Sequence, residues 1–143
     1  MEFLKEYIDC IIFIILGLMA FIALWCIIER ILFLRKIKID DFQNQEELDN
    51  VLSENLTTLY IIYSNAPYVG LLGTVIGIMI TFYDMGINGN IDVKSIVIGL
   101  SLALKATALG LVVAIPSLMA YNALLRKINL LSSNFKVKKE KQC

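Results

Sequence analysis

The stretch APYVGLLGTVIGIMITFYDM, Ala66 to Met85, holds a proline near its start, glycines at 70, 73 and 77, two threonines, and no charge before Asp84. Read as a helix, it stacks Gly73 and Gly77 one turn apart on one face, so a neighbouring helix can approach until the backbones touch. Twenty residues rising about 1.5 Å each cover about 30 Å, the thickness of a bilayer's hydrocarbon core. The stretch therefore reads as a membrane-spanning helix made for close packing. Pro67 disfavours helix at Ala66 before it and suits a first helical turn, so the span is predicted over 67–86.

Downstream, Gly86-Ile87-Asn88-Gly89-Asn90-Ile91 is short and rich in residues that tolerate positive φ, and Asp92 is placed as an N-cap. The next helix must return beside the last, giving an antiparallel hairpin. From Ser95 to Leu125 only Lys105 carries a charge, and the third span is predicted over 93–122. Apolar Leu124, Leu125, Ile128, Leu131 and Phe135 keep helical spacing beyond it. The last residues, Lys136 to Cys143, hold four lysines and nothing to bury, so disorder is expected there.

Upstream, Cys10 to Ile28 is uncharged, which places a first span over 8–34, bulky throughout and expected to face lipid as an outer anchor. Glu2, Glu6 and Asp9 precede it where a secretory signal would be basic, so it reads as retained. Between spans one and two, in the segment 36–65, Asn44 and Glu47 have capping spacing. Leu48, Val51, Leu52, Leu59, Ile62 and Tyr63 then recur at helical intervals, predicting one amphipathic helix. With 58% hydrophobic residues, 18% charged and a mean hydropathy of +0.73, the chain is too apolar to cover its own surface with polar groups. The expected fold is a single all-α membrane domain, 1–143, with three transmembrane helices and long helical extensions.

Net charge is zero but unevenly spread. Arg30, Arg35, Lys36 and Lys38 follow the first span, and Arg126, Lys127, Lys136, Lys138, Lys139 and Lys141 follow the third, against Lys5 and Lys94 on the other side. The positive-inside rule puts the N-terminus outside, and the 36–65 segment and the 123–143 tail in the cytoplasm. The basic blocks are thus read as topology signals, with no nucleic-acid surface.

Histidine is absent, and Cys10, Cys26 and Cys143 form no ligand or disulfide pattern. No metal site, cofactor or catalytic residue is expected, and the chain is not read as an enzyme. Three features remain. Gly70, Gly73 and Gly77 on span two and Gly99, Ala103, Ala106, Gly110 and Ala114 on span three form smooth faces for helix packing, within the chain or between subunits. Thr74 and Thr107 are polar near the middle of those spans; each either bonds its own helix or lines a path for water and protons. Lys105 lies about 18 Å from the outer end of span three at helical rise, where a charge needs a partner or water. Asp9 and Asp84 are expected at the outer edge and Glu29 at the inner one, so its carboxylate partner is expected on another subunit. The alternative is a deprotonated lysine in lipid. Pro116, inside span three, removes a hydrogen bond to Val112 and is expected to kink the helix.

The strings Ala66-Pro67-Tyr68-Val69-Gly70-Leu71-Leu72-Gly73-Thr74-Val75-Ile76-Gly77-Ile78-Met79 and, downstream of Gly99, Ala106-Thr107-Ala108-Leu109-Gly110-Leu111-Val112-Val113-Ala114-Ile115-Pro116 resemble the second and third spans of the MotA/TolQ/ExbB proton-channel family, nearest its ExbB and TolQ branches. The resemblance covers roughly residues 60 to 130. It implies a homopentamer in the bacterial inner membrane around the single-span helices of an ExbD-like partner, whose intramembrane aspartate carries protons. It also implies a TonB-like protein passing the work to outer-membrane receptors. Thr74 and Thr107 match the family's pore threonines. Where that family usually has a glutamate, this chain has Leu102, with Lys105 one turn later, so Lys105 is expected to substitute as the charged element. A TolQ-like subunit for envelope maintenance and a passive membrane scaffold are the alternatives.

Overall fold

Two glycine-bearing helices set the architecture. In the computed structural model, which describes residues 2–89 and 92–142, the chain forms α1 (Glu2–Lys36), a 3-10 turn (Ile39–Asp41), α2 (Gln45–Leu52), α3 (Leu56–Asn88) and α4 (Val93–Lys141). Of these, α1, α3 and α4 are long and apolar enough to cross a membrane.

Helices α3 and α4 pack antiparallel along their small residues. A methyl group on Gly70 would lie 2.6 Å from the Ala106 carbonyl oxygen and 3.2 Å from the Gly110 Cα. One on Gly110 would lie 2.7 Å from the Ala66 carbonyl oxygen, and one on Gly77 2.9 Å from the Ala103 Cβ. At the turn end, Gly99 accommodates Thr81. These helices touch backbone to backbone, a separation only glycine and alanine permit. Gly89 closes α3 with φ +64°, its N–H bonded to the Met85 carbonyl. The Asp92 carboxylate caps α4 by accepting from the Lys94 N–H at 3.1 Å and from Ser95 Oγ at 2.9 Å. Asn90 and Ile91, part of the expected link, lie outside the described residues, as does Cys143.

Helix α1 lies across one side of this hairpin. Its buried stripe, Ile12, Leu16, Ala23, Cys26, Arg30 and Leu34, follows three- and four-residue spacing. The opposite face, with Phe21 and Trp25, is exposed. The first span is therefore not only a lipid-facing anchor: one stripe of it is core. At the far end from the α3–α4 turn, α2 folds back so that Leu48 and Leu52 join Leu34, Leu59, Ile62, Leu124, Ile128 and Phe135 in a second core.

Three local expectations change. The helix expected from Asn44 through Tyr63 is two. Asn44 does cap α2, accepting from the Glu47 N–H at 2.7 Å. However, the chain breaks at Ser53, whose Oγ bonds back to the Asp49 carbonyl, and Asn55 adopts φ +64°. Asparagine tolerates that conformation, and a bend there lets α2 lie against α4. Pro67 does not open a helix but sits inside α3, which begins at Leu56. Burial of Ala66 and Gly70 against α4 holds the helix on both sides of the one missing backbone bond. Lastly, α4 continues to Lys141 where disorder was expected. Phe135 is buried, Lys138 pairs with Asp40, and Lys139 Nζ donates to the Gln43 carbonyl at 2.7 Å, so the basic end is tied down. Helix α4 also contains Pro116 within its length, and the neighbouring Ser117 Oγ donates to the Val113 carbonyl at 2.7 Å.

The glycine contacts make a direct prediction. Gly70→Leu and Gly110→Leu force side chains into backbone and should each destabilise the hairpin by about 1–3 kcal/mol or prevent folding. Gly86→Ala, with open space around it, should be neutral or slightly stabilising. Unfolding in detergent micelles, titrated with a denaturing detergent, measures the difference.

Candidate functional site: a threonine pair and an exposed lysine

Gly70, Gly73 and Gly77 bring α3 so close to α4 that a threonine on one helix reaches the other's backbone. Thr74 Oγ1 is 2.9 Å from the Ala103 carbonyl oxygen, 3.3 Å from that of Gly70 and 2.5 Å from Thr107 Oγ1. Thr107 Oγ1 is also 3.5 Å from the Gly70 carbonyl oxygen. Thr74 is buried and Thr107 half-buried. Two hydroxyls have two protons to donate. With Thr107 donating to Thr74 and Thr74 to the Ala103 carbonyl, both are used inside the chain. The pair acts as a clamp between two helices.

Lys105 stands elsewhere. Ala103, Ala106, Gly110 and Ala114 are buried towards α3 or α1, whereas Lys105 is exposed. At about 100° per residue it points roughly 200° around α4 from Thr107. Among the described residues no hydrogen bond or ion pair reaches it. The structure thus brings Thr74 and Thr107 together and leaves Lys105 at the same depth on the opposite face. Leu102, at the position of the family glutamate, is also exposed.

The structure places Asp9 nearer in depth to Lys105 than expected. Ile12 of α1 and Ala106 of α4 both abut Gly73, their nearest atoms 3.0 and 2.7 Å from where its Cβ would be, which makes the three one layer. Lys5, further toward the α3–α4 turn, reaches Thr81 at 3.5 Å, confirming the register of α1. Asp9 is three residues above the layer and Lys105 one, a difference in depth of about 3 Å. An acid of this chain therefore lies level with its lysine, contrary to expectation.

Sequence reasoning also missed Arg30, which it counted only as a topology signal. The side chain is 2% exposed. Its Nε and one terminal nitrogen each donate to the Glu29 carboxylate at 2.7 Å, its other terminal nitrogen donates to the Val51 carbonyl at 2.9 Å, and its guanidinium stacks 4.5 Å from the Phe33 ring centre. Asn55 Nδ2 donates to the same carboxylate at 3.1 Å. Arg30 thus joins α1 to the carbonyl end of α2, and Glu29 joins it to Asn55, the residue just before α3. The only sequence signal was the Glu29-Arg30 pair closing a long uncharged run; a backbone carbonyl 21 residues on leaves no signature. A second polar junction, Gln45 and Asp49 of α2 with Ser132 of α4, lies under the basic end. Among the described residues no three His, Cys, Asp or Glu side chains gather where a metal could bind.

This arrangement of two small-faced spans, paired threonines and a third helix across one side can be compared with known proteins. Residues 34–137 match the MotA/TolQ/ExbB proton channel family. The chain belongs to this family. It is 56% identical over 139 residues to the biopolymer transport protein ExbB of Helicobacter pylori strain J99, covering 97% of this chain and 96% of that protein. It is 51% identical over 128 residues to the ExbB of Aquifex aeolicus strain VF5, covering 90% and 86%. It is also 37% identical over 84 residues to the Tol-Pal system protein TolQ of Haemophilus influenzae, covering 59% of this chain and 37% of TolQ. As an ExbB-like family member with three membrane-capable helices, it is a multi-pass membrane protein of the proton-channel and energy-transduction type.

The hydroxyl clamp is testable apart from any activity. Thr74→Val removes its oxygen and should cost about 1–2 kcal/mol of hairpin stability, while Thr74→Ser should retain most of it. Equal stability of the valine and serine variants in detergent unfolding would show that the bonds contribute nothing.

Proposed function

We propose that this chain is the proton-channel subunit of an inner-membrane motor that, with an ExbD-like single-span partner, uses the proton gradient to energise TonB-dependent import across the outer membrane. The observation that carries this reading is 56% identity to an ExbB over nearly the whole length of both proteins, against a TolQ similarity confined to part of each. In this reading the N-terminus faces out, the α2 region and the basic end of α4 are cytoplasmic, and copies of the chain, five by family resemblance, surround the partner's helices. Lys105 supplies the charged element that the family glutamate would supply at Leu102. It faces a carboxylate borne by the partner, while the Thr74–Thr107 pair fixes the wall on which it stands.

A passive membrane scaffold is the second reading, and one observation favours it. The threonine hydroxyls lie within bonding distance of each other and of the Ala103 carbonyl, and Lys105 stands on the exposed face, an arrangement that needs no proton path.

The two readings differ in the effect of Lys105→Met. A motor subunit without its charged element should lose energised uptake of an outer-membrane receptor's ligand by roughly tenfold or more, compared at equal amounts of assembled oligomer in the membrane. Uptake at the wild-type rate would favour the scaffold.

A further inference from the structure

Lys105 and Asp9 present the same problem. Each is an ionisable side chain on a helix that crosses the membrane, and neither forms an ion pair within the chain among the described residues. An unpaired ammonium or carboxylate at such depth costs several kcal/mol, which pairing with an opposite charge relieves. Lys105 is exposed and Asp9 half-buried, so both are accessible to a neighbouring molecule.

The register of the helices puts them about 3 Å apart in depth, counted from the layer of Ile12, Gly73 and Ala106. Copies related by an axis along the membrane normal share every depth. A carboxylate on α1 of one copy is therefore level with the lysine on α4 of the next. Among the described residues no other acid is so near in depth: Glu6 lies three residues before Asp9 on α1, about 4.5 Å nearer the α3–α4 turn. Asp84 lies ten residues along α3 from Thr74, about 15 Å nearer the α3–α4 turn. Glu29 is at the other end of α1 and already bonded to Arg30 and Asn55.

The surface around Lys105 also suits a second helix. One turn to either side are Ser101 and Ala108, both small and exposed, while Leu104 beside them is bulky and 60% exposed. The lysine thus rises from a notch into which another helix fits.

We propose that Asp9 of one copy and Lys105 of the adjacent copy form an ion pair inside the membrane, at the boundary between subunits. The inference adds to the proposed function a carboxylate belonging to the chain itself and rests on that reading only for the presence of adjacent copies. In the motor, Lys105 then stands between two acids, Asp9 of the neighbour and the carboxylate of the partner. A proton taken up by either one leaves the ammonium to the other.

Disulfide trapping tests the pair directly. Asp9→Cys and Lys105→Cys are combined in a chain whose Cys10, Cys26 and Cys143 are replaced by serine, and native membranes are oxidised. The expected result is a ladder of linked copies on a non-reducing gel, absent from either single-cysteine variant. Migration as monomer, unlinked or closed within one chain, would overturn the proposal. A second measurement covers a cysteine pair that fails to assemble. Asp9→Lys and Lys105→Asp should each lower the yield of assembled oligomer by roughly tenfold, and the double swap should restore it; no restoration counts against the pair. Neither readout involves proton flow or uptake. A ladder with uptake insensitive to Lys105→Met would remove the motor reading alone, and sensitive uptake without a ladder would remove this pair alone.

Discussion

The backbone contact between α3 and α4 is the constraint on which the rest of the molecule depends. Where Gly70 meets Gly110 there is no side chain between the helices, and the carbonyls of Ala66 and Ala106 lie where a β-carbon would be. Lipid offers no hydrophobic drive for two apolar helices to associate, so stability must come from fit and from hydrogen bonds. Glycine supplies the first and makes the second available. Only at this separation can Thr74 reach a carbonyl on the facing helix. The same approach fixes which way every other residue of α4 points, including Lys105. The layer it forms with Ile12 also sets the height of α1, and hence of Asp9.

A different force holds the end remote from the α3–α4 turn. There the chain builds a leucine-rich core from four helices, with Leu48, Leu52 and Leu59 almost completely enclosed. Arg30 connects the two regimes. Buried at the last apolar turns of α1, it satisfies a carbonyl at the end of α2 and neutralises the adjacent glutamate, so the bend at Ser53 to Asn55 is anchored to the first span. At nearly 50 residues α4 is about 74 Å long, more than twice the hydrocarbon thickness, and it serves both regions as a common spine.

Much of this was legible in the sequence because it follows from short-range chemistry. Uncharged runs gave the three spans, Asn44 and Asp92 marked helix starts, and small residues at three- and four-residue spacing marked faces that pack. What could not be read depended on distant partners. Pro67 reads as a helix start until the burial of Ala66 and Gly70 against α4 is known. The lysine-rich end of α4 reads as disordered until Asp40 and the Gln43 carbonyl are placed beside it. The depth of Asp9 relative to Lys105 was misread because distances along the chain were counted from the ends of uncharged runs, whereas contacts of α1 with α3 and α4 set their relative height. The threonines were correctly singled out as polar in an apolar setting. That they meet each other and the Ala103 carbonyl required the geometry.

Together these features describe a wall rather than a complete path. The threonine pair holds two helices in contact, and Asp9 and Lys105, two charges on the long apolar helices with no ion pair among the described residues, stand on accessible surface. Proton flux into sealed liposomes, driven by an imposed membrane potential, tests that description most directly. With purified chain and the ExbD-like protein incorporated together, flux should rise well above the leak of empty vesicles, and with this chain alone it should not. Equal flux from the chain alone would contradict the account, as would no flux from the complex.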